Sequence, residues 1–153
     1  MVLSAGEKAP EFELKDSEGV VHNLSDYKGQ TIVVYFYPKD DTPGCTKEAC
    51  SFRDAYEDFK QAGVEIIGIS PDTEKSHSKF IDKFDLPFIL LSDPDHAVCE
   101  AYGVWGLKKY MGREYEGVYR TTFVIGPDGE IKRVFENVRP ADHSQEVLEE
   151  LTN

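Results

Sequence analysis

Two cysteines stand five residues apart in the stretch Pro38-Lys-Asp-Asp-Thr42-Pro-Gly44-Cys45-Thr-Lys-Glu-Ala-Cys50. A thiol attacks as its thiolate, and a helix N-terminus favours that form through free backbone N–H groups and the helix dipole. Cys45 is placed to feel both effects, because an apolar run, Thr31–Tyr37, hands over to a helical pattern that begins near Pro43. Thr42 can serve as N-cap, Pro43 suits the first helical position and Gly63 the stop. Complete ionisation of a thiol from its ordinary value near 8.5 raises the thiolate fraction at pH 7 only roughly 30-fold. Fast attack on an oxidant therefore also needs donors aimed at the leaving oxygen. Thr42 is close enough in sequence to reach the same pocket. Arg120 opens an apolar strand, and if that strand runs antiparallel to 31–37, its guanidinium lies beside the Cys45 loop. A packing explanation stays open for each: a buried thiol, a plain cap, a solvated strand-end charge.

Cys50 decides what kind of chemistry the pair can do. The stripe Cys45, Ala49, Phe52, Tyr56 and Phe59 recurs at helical spacing, whereas Cys50 shares its side with Thr46, Arg53 and Glu57. The two cysteines are separated by about 7.5 Å along the axis and about 140° around it. A disulfide needs Cα atoms within roughly 7 Å and facing Cβ vectors. A 45–50 bond thus requires the first helical turns to unwind. The spacing is not the C-x-x-C of a general disulfide oxidoreductase, and a one-shot redox sensor is the other alternative. Cys99 reads as a packed or spare thiol. His22, His77, His96 and His143 have no metal-ligand spacing relative to each other or to the cysteines, so a Cys/His metal site is not expected.

The elements that must hold these residues follow from pattern. Phe12–Leu14 and Val20–Leu24 flank Asp16–Gly19 as an N-terminal hairpin. The run 31–37 is apolar on both faces, as a central strand covered by helices should be. Val64–Ser70 is a second buried strand, and a helix opening at Pro71–Glu74 carries His77, Phe80, Ile81 and Phe84 on one face. A short strand at Phe88–Leu91 and a short helix from Asp93-Pro94 to about Tyr102 come next. Gly103–Tyr119 shows no firm period and reads as a long loop over the site, with Tyr110, Tyr115 and Tyr119 as its packing. Strand 120–125, a Pro127-Asp128-Gly129 turn, strand 130–135 and a helix from about 142 to 151, its acids Glu146 to Glu150 on a solvated face, complete an α/β sandwich. No Pro/Gly linker divides the 153 residues, so one domain, 1–153, is expected.

Composition narrows the partners. Lys plus Arg total 17 against 29 Asp plus Glu, a formal charge of −12, which repels phosphate backbones and anionic membranes. Nucleic acid and membrane are not expected as partners. The start of the chain lacks the basic and apolar regions of a signal peptide, so a cytoplasmic location is expected. There, cysteines are more often catalytic, redox-active or buried than structural disulfides.

Pro38-x3-Thr42-x2-Cys45 resembles the active-site signature of peroxiredoxins. Together with Cys50, Tyr102-Gly-Val-Trp-Gly106, Met111-Gly112 and Arg120-x2-Phe123, it is similar to the bacterioferritin comigratory protein (peroxiredoxin Q) branch, over nearly the whole chain. The resemblance implies a thioredoxin-like three-layer sandwich with a central mixed sheet and an N-terminal β-hairpin. It implies thiol-dependent reduction of hydrogen peroxide and organic hydroperoxides, with no cofactor. By position, Cys45 matches the peroxidatic cysteine and Cys50 the resolving one. Thr42 and Arg120 match the residues that hold peroxide and thiolate. Pro38 matches the residue that shields the pocket, and Gly44 is counted with it as substrate-binding. Thioredoxin or a glutaredoxin-like dithiol would regenerate a monomer or weak dimer.

Overall fold

The computed structural model describes residues 2–136 and 138–152. The N-terminal hairpin forms as expected from β1 (Glu13–Asp16) and β2 (Val21–Asn23), followed by a short 3-10 turn at Leu24–Tyr27. The apolar run becomes β3 (Thr31–Phe36), whose residues from Ile32 on are all buried. Next come α1 (Pro43–Gln61), β4 (Val64–Ser70), α2 (Glu74–Phe84), β5 (Ile89–Ser92) and a short α3 (Ala97–Ala101). Strands β6 (Trp105–Tyr110) and β7 (Arg113–Val118) precede the hairpin β8 (Thr121–Ile125) and β9 (Ile131–Glu136), and α4 (His143–Thr152) closes the order.

Seven strands form one mixed sheet in the order β2-β1-β5-β4-β3-β8-β9. β3, β4 and β5 run parallel at its centre, and antiparallel strands flank them. Alternation along β3 divides the core in two. Val33, Tyr35 and Tyr37 pack with Cys45, Ala49, Phe52 and Phe59 of α1, Phe80 of α2 and Val147 of α4. Ile32, Val34 and Phe36 pack with Cys99, Tyr102 and Val104 around α3, and with Phe12 and Leu24, which flank the N-terminal hairpin. A strand buried on both faces has to be apolar at every position, which is what marked β3 in the sequence.

The stretch 103–119 departs from expectation. It is a two-stranded antiparallel hairpin, not a loop, with Trp105 opposite Val118 and Tyr110 opposite Arg113. Its turn is Met111-Gly112, both with positive φ (50° and 79°), the geometry of a two-residue hairpin. Only its base is anchored, through buried Val104 and Val118, while Leu107, Tyr110, Met111 and Tyr115 are exposed. With neither face buried along most of its length, the ribbon has no alternation to read. Tyr110 and Tyr115 therefore do not pack as expected. Tyr119, at the base, donates its hydroxyl to the Leu107 carbonyl at 2.7 Å. Among the described residues no helix is long and apolar enough to cross a membrane.

Candidate active site

The C-terminal end of β3 delivers the chain into the segment 37–45, and a hydrogen-bonded cluster fixes its course. Tyr37 donates to Asp40 Oδ1 at 2.5 Å, and the Asp40 N–H donates to Asp72 Oδ2 at 2.8 Å. Asp40 Oδ2 also meets Ser76 Oγ at 2.8 Å and His77 Nδ1 at 2.7 Å. Asp40, Asp72 and His77 thus approach within the 4.8 Å that a cation could bridge. Their polar atoms are already engaged with Ser70, Ser76, Tyr37 and the Leu91 carbonyl, so the cluster serves as a tether between the segment and α2. Pro38, in the same segment, is half-buried.

α1 begins at Pro43, which puts Cys45 at the third helical position, 1% exposed. Thr42 occupies the N-cap with extended backbone, yet its side chain makes no cap bond. Its hydroxyl instead donates to the Lys39 carbonyl at 2.9 Å. The expected cap is corrected accordingly: no side chain satisfies the helix start, and no acid sits in the first turn. Amides there stay available to an anion.

Arg120 lies one residue before β8. Because β8 runs antiparallel to β3 with Thr121 opposite Phe36, the guanidinium arrives beside the first turn of α1. Its Nη2 donates to Cys45 Sγ at 3.3 Å, and its Nη1 donates to Glu48 Oε1 at 2.8 Å. Burial pushes the Glu48 carboxyl up to about 7, against the opposing pull of Arg120. Lys108 of β6 is half-buried and donates to the Val118 carbonyl at 2.9 Å. Its ammonium is held below the usual range, first by desolvation and then by Arg120. The site therefore concentrates positive charge around one thiol within a strongly acidic chain.

The structure brings Cys45, Arg120 and the uncapped helix start together, and leaves Cys50 half-exposed on another side of α1. All three cysteines are free. Glu48 and Lys108 went unread in the sequence. Glu48 had one legible signal, an acid three residues after Cys45 on the core-facing side of the helix; Lys108 had none.

Gly44 touches the cation rather than open space. A Cβ there would stand 3.1 Å from Arg120 Nη2 and 3.8 Å from Pro140 Cγ. Because Arg120 is pinned by Glu48 and Cys45, it has little room to yield. Gly44→Ala is expected to slow reaction of Cys45 with peroxide by about tenfold while α1 gains up to about 1 kcal/mol in helix propensity. Stopped-flow rates beside thermal melting would check that the two move in opposite directions.

Cys99 sits apart, 0% exposed in the second core cluster. Burial and then the neighbouring Asp93 push its thiol far above the usual range. Asp93 is itself occupied, accepting the N–H groups of Val98 at 3.2 Å and Cys99 at 2.8 Å. Iodoacetamide at neutral pH is expected to spare Cys99 in the folded protein. Cys99→Ala should leave peroxide turnover unchanged at a stability cost of about 1 kcal/mol, measured by peptide mapping and denaturant melts.

Comparison with known proteins places the whole chain in one family. The AhpC/TSA family model matches residues 5–134. Peroxiredoxin Bcp of Bacillus subtilis is 50% identical over 151 residues, covering 99% of this chain and 96% of the relative. A cysteine-to-serine mutant of Xylella fastidiosa PrxQ superposes with a TM-score of 0.93 at 34% identity, covering 99% and 97% of the two chains. The bacterioferritin comigratory protein of Xanthomonas campestris, known for alkyl peroxide reduction activity, gives a TM-score of 0.87 at 38% identity, over 92% and 90%.

Proposed function

The chain belongs to the AhpC/TSA family, on its peroxiredoxin Bcp branch, and is a thiol peroxidase; from that premise we propose that Cys45 attacks the peroxide and Cys50 resolves the product. The observation that carries this reading is the Arg120 guanidinium, one arm on Cys45 Sγ and the other on Glu48. It stabilises the thiolate and offers charge to the peroxide oxygens as the O–O bond breaks. The free amides at the start of α1 add donors without any reorganisation at the moment of reaction, and the Thr42 hydroxyl stands at the N-cap beside them. Pro38 and Gly44 border the entry, Gly44 by leaving room for the cation.

In the first step the Cys45 thiolate takes one oxygen of the peroxide. An S–O bond forms, the O–O bond breaks, and with one proton water or an alcohol leaves Cys45 as its sulfenic acid. The Cys50 thiol then attacks that sulfur, releasing water and forming a disulfide. Both cysteines lie within the intact helix α1, so its first turns open for this step. A thioredoxin or glutaredoxin-like dithiol reduces the bond by exchange, giving up two electrons and becoming a disulfide itself. Organic hydroperoxides fit as substrates alongside hydrogen peroxide, by analogy with the X. campestris relative's alkyl peroxide reduction.

The test is peroxide turnover with excess thioredoxin and its reductase, beside mass mapping of the peroxide-oxidised chain. Continuous turnover and a 45–50 link are expected. A single oxidation that then stops would mark a redox sensor. A lasting sulfenic acid on Cys45, or a bond to Cys99, would sink the role of Cys50.

A further inference from the structure

Glu48 is the one acid on the buried side of the segment that must open. It is 0% exposed, and among the described residues its Oε2 has no hydrogen-bond partner. It also lies between Cys45 and Cys50, within the turns a 45–50 disulfide has to unwind. An ionised carboxylate held this way is desolvated and only half satisfied, a costly arrangement that opening to water would relieve. We propose that Glu48 is a proton-operated latch on α1, holding the first turns closed while protonated and favouring their opening once ionised. The inference rests on the reading of Cys50 as the resolving residue and adds a positioning role for Glu48 in that step.

The charged and titratable groups around Glu48 come from several elements. From the residue before β8, Arg120 contacts it and keeps its charge. From β3, the Tyr35 hydroxyl is pushed well above its ordinary value by burial, and then by Glu48 and Cys45. His143 of α4 faces Arg120 and is driven down to about 4, first by burial and then by that cation. Lys108 of β6 feels the Arg120 charge, and Asp40 acts on the Tyr35 hydroxyl. Cys45 shares the helix face.

The sign follows from linkage. Glu48 carries a carboxyl raised from 4.5 to about 7 in the closed helix, and regains ordinary solvation in the open one. The closed form therefore binds the proton more tightly. Its advantage is complete below 4.5, fades as pH rises from there toward about 7, and then levels off. Oxidation is coupled to proton release: Cys45-SOH and Cys50-SH give the disulfide and water, the helix opens, and Glu48 gives one proton to solvent. Reduction by a dithiol returns two electrons, and the closing helix takes that proton back.

The experiment equilibrates the protein with graded ratios of oxidised and reduced dithiothreitol between pH 5 and 7.5, reading the 45–50 disulfide by alkylation and mass mapping. Glu48→Gln and Glu48→Met serve as two non-titrating references, so the test survives if one of them folds poorly. Relative to either variant, the wild-type constant for disulfide formation is expected to grow on the order of fiftyfold across that range. Parallel pH dependences in wild type and variant would overturn the latch while leaving Cys50 as resolver. Absence of the 45–50 disulfide at every pH would overturn both.

Discussion

Serine in place of Cys45 is expected to remove peroxide consumption, by at least roughly a thousandfold. The change swaps one atom in a residue that is 1% exposed and packed with Val33, Tyr35, Ala49 and Phe52. Shape and helix position survive, and so do Arg120, Glu48 and the uncapped amides. What is lost is the ionisable, polarisable nucleophile: an alkyl hydroxyl does not become an alkoxide near neutral pH, and its oxygen cannot take up the peroxide oxygen. The measurement is peroxide loss with the reducing system in excess, beside a melt showing that the variant is folded. Activity retained in a folded Cys45→Ser protein would move the chemistry to Cys50 or Cys99 and overturn the reading. The contrast is steep because Cys99 is buried away from the site and Cys50 lacks the Arg120 contact.

Much of the frame was legible because burial on both faces leaves a plain mark. β3 and β4 are nearly continuous apolar runs, and α1 shows its stripe from Cys45 to Phe59 between Pro43 and Gly63. The hairpin β6–β7 was not legible. A ribbon exposed on both faces carries no period, and Met111 with φ of 50° is not a residue type that announces a turn. At the site, local residues gave Cys45 and its helix start, but the pairing of Arg120 with Glu48 spans 72 residues of sequence. An acid inside an otherwise apolar stripe looks like a surface residue until the strand register brings a cation to it. Thr42 illustrates the limit at short range. Its type and position marked a cap, while the competing Lys39 carbonyl took its hydroxyl.

The same pairing bears on the proposed opening of this segment. On the proposed mechanism, Arg120 would position Cys45 through its sulfur contact, and both that contact and the one to Glu48 fall in the turns that Cys50 would need open. Thr46 N–H to Thr42 carbonyl at 2.8 Å is the backbone bond at the start of α1 that such an opening would have to break. In that mechanism oxidation would weaken the closed arrangement from within, since a sulfenic acid is neutral and no longer draws the guanidinium as a thiolate does.

Methionine in place of Arg120 is expected to cost about a hundredfold to a thousandfold in the rate of Cys45 oxidation, the scale of removing a preorganised charge donor. Its stability effect should depend on pH in a way a surface arginine would not show. Arg120 is 19% exposed at its side chain, and Glu48, at 0%, depends on it for its one polar contact among the described residues. Without the cation, burial acts on Glu48 unopposed and raises its carboxyl further above the ordinary 4.5. The unfolded chain keeps the ordinary value, so the folded variant binds the extra proton and loses stability as pH rises. At pH 5 Glu48 folds as the neutral acid, and the loss is limited to about 1 kcal/mol for missing hydrogen bonds. At pH 8 it is either charged without a partner or protonated at a cost, and the loss grows to about 3 kcal/mol. Urea melts at both pH values, compared with wild type, measure the difference. An equal loss at both would mean that Arg120 does not hold the Glu48 charge. Adding Glu48→Gln should then flatten the pH dependence without restoring the rate, because the amide removes the buried charge but returns nothing to Cys45.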